Sequence, residues 1–183
     1  GALAALLLAG AGLAASTTFF EADFVFSDST QPPDGTAPWQ RLALPDDWRQ
    51  TRPAASGYGW YRFPVTAENI STVHALFVPR VGDQAEVFVN RVLVGRTGGP
   101  DDPLVRTWKR PQLFTVTPAD LRPAENVIHI RLYGMSGHQS GLSPLRFGLE
   151  DELRGEYWKR FAMQTVGPVA LAVALGLIGV FFL

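Results

Sequence analysis

The chain has 183 residues, 46% of them hydrophobic and 18% charged, with a formal net charge of −1. A near-neutral balance and a pI of about 6.3 exclude a nucleic-acid binder, which needs a concentrated basic face. The absence of cysteine excludes thiolate metal sites and cysteine nucleophiles.

These averages hide three segments. The 16 Lys and Arg and the 17 Asp and Glu all lie between Glu21 and Arg160. That stretch of roughly 140 residues is long enough to bury about two-thirds of its unfolded surface, so a single domain is expected. Residues 1–15 (GALAALLLAGAGLAA) are uncharged and are followed by polar Ser16, Thr17 and Thr18. This pattern predicts the apolar core and small-residue end of an export signal over 1–18, with a short buried helix as the alternative. It lacks the basic start and the initiator Met, which predicts that the chain is cut from something longer. At the other end, residues 161–183 carry no charge. As a helix they would span about 35 Å, enough to cross a bilayer. Gly167, Pro168, Gly176 and Gly179 are tolerated in membrane helices, and Trp158, Lys159 and Arg160 suit an interface. We therefore expect a domain over 19–149, a juxtamembrane helix over 150–165 and a transmembrane helix over 166–183. The transmembrane run is still apolar where the sequence stops. For a bacterial source this places the protein in the inner membrane, with the domain in the periplasm.

Within the domain, residues 20–26 (FEADFVF) alternate, placing Phe20, Ala22, Phe24 and Phe26 on one face of a strand. Residues 31–38 form a Pro- and Gly-rich loop. Residues 59–65 put Tyr61, Phe63 and Val65 on one face and Trp60 and Arg62 on the other, with Pro64 favouring an edge or strand end. Short strands are expected at 75–78, 85–89 and 92–95, the last two joined by a tight turn at Asn90-Arg91. Further strands are expected at 112–117, 126–132 and 145–149. In 126–132, Ile128, Ile130 and Leu132 oppose Val127, His129 and Arg131. This succession predicts an all-β protein, an antiparallel β-sandwich. One helix is expected at 150–161, with Leu153, Tyr157 and Phe161 as its apolar stripe, acidic residues at its start and basic ones at its end. Gly155 weakens it by about 1 kcal/mol relative to Ala.

The catalytic inventory is thin, and this segment is expected not to be an enzyme. His74, His129 and His138 have no metal-ligand spacing, and there is no nucleophile elbow or phosphate-binding loop. Asp46-Asp47 and Asp101-Asp102 read as solvated turn residues, with a Ca²⁺ site as the alternative. No cofactor or metal is expected. Aromatic residues beside cations offer more: Trp48-Arg49, Trp60-x-Arg62 and Arg106-x-Trp108-Lys109. An aromatic face with forked donors holds sugars, because CH groups stack while hydroxyls and carboxylates accept hydrogen bonds. If their strands share a sheet, Trp60, Arg62, His129 and Arg131 line one surface. Trp48 reads instead as a core tryptophan covered by an arginine. The Gly/Ser-rich loop 134–144, with His138, is a candidate ligand lid. The candidate ligand-binding set is Trp60, Arg62, Arg106, Trp108, Lys109, His129, Arg131 and His138.

LPDDW (44–48), GYGWYRF (57–63), VFVNRVLVG (87–95) and NVIHIRL (126–132) resemble the sugar-binding jelly-roll domain of β-galactosidase-type glycoside hydrolases. Arg91 stands where that pattern has Gly. WKRPQLF (108–114), RLYG (131–134) and GLSPLRFG (141–148), followed by a helix into an apolar run, resemble more closely the extracellular domain of bacterial seven-transmembrane receptors with diverse intracellular signalling modules. That resemblance implies a domain binding carbohydrates or related small molecules, coupled to a histidine kinase or diguanylate cyclase. The expected partners are a carbohydrate-like small molecule and a membrane, with a homodimer left open. The alternatives are an accessory sugar-binding domain of a membrane-tethered glycoside hydrolase and a protein-interaction module.

Overall fold

The computed structural model describes residues 16–82, 84–97 and 110–167, together with 172, 173 and 175. Twelve strands are present among them. They are β1 (Thr17–Phe19), β2 (Glu21–Phe26), β3 (Gln40–Ala43), β4 (Asp46–Asp47), β5 (Gly57–Val65), β6 (His74–Val78), β7 (Gln84–Val89), β8 (Val92–Arg96), β9 (Gln112–Val116), β10 (Asn126–Gly134), β11 (Gly141–Leu142) and β12 (Leu145–Leu149). Two helices accompany them, α1 (Trp48–Thr51) and α2 (Glu150–Phe161).

The strands form a six-stranded sheet ordered β3-β2-β5-β10-β7-β8 and a four-stranded sheet ordered β1-β12-β6-β9. All pairings are antiparallel. The core lies between the sheets. Alternation drives it: Tyr61, Phe63 and Val65 of β5 and Ile128, Ile130 and Leu132 of β10 meet Leu76, Val78, Phe114, Val116, Leu145 and Phe147 of the other sheet. This is the sandwich that the period-2 pattern predicts.

The turn at Asn90-Arg91 forms as expected, with φ of 49° and 74°. Arg91 thus takes the left-handed conformation that a glycine would adopt more readily. The Asn90 side chain makes the turn worth its strain: its Oδ1 accepts from Val127 N–H, and its Nδ2 donates to Asn126 Oδ1 and to the Asp120 carbonyl.

Two expectations about the N-terminal side are corrected. Phe20 is not part of the alternating face; it is an exposed bend between β1 and β2, where the chain passes from one sheet to the other. Phe26 is also exposed, its ring resting edge-on against Phe24 and Trp48. Thr17 and Thr18, assigned by composition to the leader-like segment, pair with Phe147 and Arg146 in β1.

Helix α2 covers the outward face of the four-stranded sheet. Leu153 is buried against Ala75 and Phe77, with Leu113 and Tyr157 packed around it. Phe161 stacks on Tyr157, so the stripe at Leu153, Tyr157 and Phe161 is formed. Arg146 of β12 binds Glu152 at 2.9 Å and also Glu156. Thr115 of β9 donates to Glu150 at 3.0 Å. The helix runs on through a π-helical turn at Ala162–Val166. Among the described residues no helix is long and apolar enough to cross a membrane. Most of the expected span at 166–183, and residues 1–15 of the expected leader at 1–18, lie outside the described residues.

Candidate functional site

The outward face of the six-stranded sheet carries the residues that the sequence singles out. In the central pairing, Arg62 of β5 lies opposite His129 of β10, and Trp60 opposite Arg131. The four therefore share one face, as expected. Continuing two residues further along each strand adds Tyr58 and Tyr133, which also lie opposite one another. On the next strand Gln84, Glu86 and Phe88 sit beside Tyr133, Arg131 and His129. On the other side Asp23 and Val25 sit beside Arg62 and Trp60.

One half of this face is closed. Trp60 is fully buried in a cluster with Val25 and Phe88, against which Trp39 packs. Its Nε1 donates to the Ser27 carbonyl at 3.1 Å. Loop 27–39 is thus a strap across the sheet, and Trp39 is held in it by a 2.8 Å hydrogen bond from its Nε1 to the Asp34 carbonyl. The Arg62 guanidinium stacks 4.5 Å from the Trp39 ring and pairs with Asp23 at 2.9 Å. His129 lies beneath, its ring 6.0 Å from that of Trp39. Burial, then the Arg62 and Arg91 charges, push the His129 pKa down to about 4, so the ring is neutral at ordinary pH. Its buried Nδ1 has no hydrogen-bond partner.

The expectation of an open ligand surface at Trp60, Arg62 and His129 is therefore corrected. Among the described residues no helix covers this sheet face, and a bare tryptophan there would leave a large apolar area in water. The strap removes that area.

Among the described residues nothing covers the other half of the face. A cavity of about 180 Å³ is lined by Tyr58, Gln84, Ala85, Glu86, Arg96, Thr97, Arg131 and Tyr133. Tyr58 and Tyr133 have ring centroids 5.0 Å apart. The Arg131 guanidinium lies 3.7 Å over the Tyr58 ring and its Nη1 donates to Glu86 at 3.2 Å. Of the expected set, only Arg131 among the described residues lines this cavity. Tyr58, Tyr133, Gln84, Glu86 and Arg96 are additions, and the period-2 extension of Trp60-x-Arg62 and His129-x-Arg131 is the signal that finds the two tyrosines.

His138 is exposed in a turn, its Nδ1 3.2 Å from the Ser136 carbonyl, and is not brought to the cavity. The candidate lid is tied down: Ser136 N–H donates to Ser56 Oγ and Ser136 Oγ to the Pro53 carbonyl. Arg106, Trp108 and Lys109, and with them Asp101-Asp102, lie outside the described residues.

Trp48 is a core residue, as expected, but the arginine on it is not its neighbour Arg49. Arg52 stacks 4.2 Å from Phe24 and 5.5 Å from Trp48, while Arg49 pairs with Asp47. Asp46 is corrected from a solvated turn residue to a buried one. Its carboxylate accepts from Arg52, Thr51 and the Tyr61 hydroxyl, and that hydroxyl accepts from Trp48 Nε1. Burial, then the Asp46 charge, push the Tyr61 phenol well up. LPDDW is thus a buried polar lock, and no group of three metal-ligating side chains occurs among the described residues.

No protein-family profile and no curated protein sequence matches the chain. Solved structures do resemble its fold. The β-glucuronidase of Bacteroides uniformis matches with a TM-score of 0.57 at 17% identity, over 73% of this chain and 17% of that one. A glycoside hydrolase family 2 member from Bacteroides cellulosilyticus matches with 0.56 at 20% identity, over 72% and 20%. A family 2 β-galacturonidase from Eisenbergiella tayi matches with 0.55 at 13% identity, over 73% and 24%. The chain thus spans about a quarter or less of these enzymes' length. The likeness is one of fold, to a portion of glycoside hydrolases, in line with the more distant resemblance in the sequence.

Proposed function

We propose that the chain is a non-catalytic ligand-sensing domain of a membrane-bound signalling receptor. It is exported to the bacterial periplasm, anchored in the inner membrane through 166–183, and it binds a carbohydrate-like small molecule. The observation that carries this reading is the open cavity at Tyr58, Tyr133 and Arg131, on the sheet face opposite the one that holds α2. Two aromatic rings offer CH-stacking, and Gln84, Glu86 and Arg96 offer hydrogen bonds to hydroxyls.

The route to the helix runs through the core. Ile130 and Leu132 alternate with Arg131 on β10 and share the core cluster with Leu76 and Val78 of β6. On the far side of β6, Ala75 and Phe77 hold Leu153 of α2. A ligand shifts α2 only by binding one of its positions better than the other.

The test is calorimetric titration of the chain in lipid nanodiscs against neutral sugars and sugar acids, with hydrogen exchange followed along α2. The expected result is binding, at least ~10-fold weaker in Tyr133→Ala, with altered exchange in α2. A folded protein that binds none of the panel would overturn the reading.

The fold likeness to glycoside hydrolases favours a second reading, an accessory sugar-binding domain of a membrane-tethered hydrolase. The gene downstream of Leu183 separates the two: further hydrophobic spans with a kinase or cyclase support the receptor, and a barrel with paired carboxylates supports the hydrolase.

A further inference from the structure

We infer that the cavity takes a single sugar-sized ring bearing a carboxylate, held between Arg96 and Arg131; this rests on the carbohydrate-binding reading above. The argument begins with the register. Across three adjacent strands, Arg96 of β8 lies opposite Glu86 of β7, which lies opposite Arg131 of β10. The row therefore reads cation, anion, cation, and opposite charges across strands attract.

The one carboxylate is committed to one side. Glu86 Oε2 accepts from Arg131 Nη1 at 3.2 Å, and no ion pair joins it to Arg96. Among the described residues the Arg96 side chain has no ion pair or hydrogen bond, its backbone alone being engaged in the β7–β8 pairing. Among the described residues Arg131 is also unfinished: its Nε is buried without a partner, and no hydrogen bond engages its Nη2. The lining thus carries two guanidinium groups against one carboxylate. A guanidinium is a forked donor whose geometry fits a carboxylate. A ligand carboxylate would supply the second anion of the row.

The rest of the cavity specifies a ring. The hydroxyls of Tyr58 and Tyr133 and the side-chain amide of Gln84 make no hydrogen bond among the described residues, and all three residues line the cavity. They suit a ligand with several hydroxyls as well as its charge. The volume of about 180 Å³ lies below the ~300 Å³ at which drug-sized pockets begin, so one ring fits better than a chain.

The test compares glucuronate, glucose and acetate as probes, by titration of the chain in neutral-lipid nanodiscs. Arg96→Gln and Arg96→Lys serve as variants, because Arg96 is exposed and its replacement leaves the core intact. Glucuronate is expected to bind at least ~10-fold more tightly than either glucose or acetate, and to weaken as salt rises. Arg96→Gln should weaken glucuronate at least ~10-fold and glucose by clearly less, removing most of the difference between them, and Arg96→Lys should restore part of it. Thermal unfolding of each variant at the wild-type temperature confirms that folding is intact. Glucose binding as tightly as glucuronate, with no effect of Arg96→Gln, would overturn the carboxylate inference and leave the carbohydrate reading standing. Acetate matching glucuronate would overturn the ring. Binding of none of the three, nor of the wider panel, overturns both readings together.

Discussion

The two outward faces of the sandwich are covered by different means. The four-stranded sheet is closed by a helix that buries Leu153 and is fastened at Arg146 and Thr115. Among the described residues the six-stranded sheet is closed only halfway, by a loop that lays Trp39 over Trp60 and His129 and stops short of the Tyr58–Tyr133 cavity. A regular helix packs a whole sheet face through a repeated stripe, whereas a loop covers only where it places a large side chain. The partial cover is what leaves a concave polar site beside a buried apolar one.

Substitutions on the two faces sharpen this contrast. Trp60→Ala empties the largest side chain under the strap and should cost about 3–5 kcal/mol, read from denaturant unfolding. Full retention of stability would mean that the strap contributes no packing. Leu153→Ala should cost about 2–4 kcal/mol and accelerate hydrogen exchange in α2, with β5 and β10 unaffected. Equal acceleration in both sheets would break the idea of independent covers.

The smallest effect concerns pH. His129 has a folded pKa near 4, below the ordinary 6.5, because burial and then Arg62 and Arg91 disfavour its charged form. The native state therefore binds fewer protons than the unfolded chain between these values. Its contribution is fully present above about pH 6.5 and is lost as pH falls toward 4. His129→Gln should flatten the stability profile in that window. An unchanged profile would show that His129 gains a proton without disturbing the strap.

The strands and their facing were legible because each core strand keeps a strict alternation. Tyr61-Phe63-Val65 and Ile128-Ile130-Leu132 could bury on one side only, and both did. The strap was not legible. Trp39 directly follows the polar, proline-rich stretch 31–38 whose pattern predicts a loop, and nothing local marks that loop as the cover of a sheet. Trp60 and His129 therefore read as a ligand surface when they are a buried one. The cavity was half legible: Arg131 followed from alternation, while Arg96 depended on the β7–β8 register, which a bulge between Val87 and Phe88 resets. Asp46 looked like a surface turn because its partners, Arg52 and Tyr61, are converging side chains rather than a spacing motif.

The passage of the chain between sheets at Phe20 has a mechanical consequence. Because β1 pairs with β12, Ser16 comes to lie against α2, its hydroxyl 2.6 Å from Glu152 and also in contact with Arg146. The entry strand and the exit helix are therefore gripped at one corner, by the same arginine, on the same sheet. A pull on α2 loads β1 and β12 before it reaches the strands that carry the cavity.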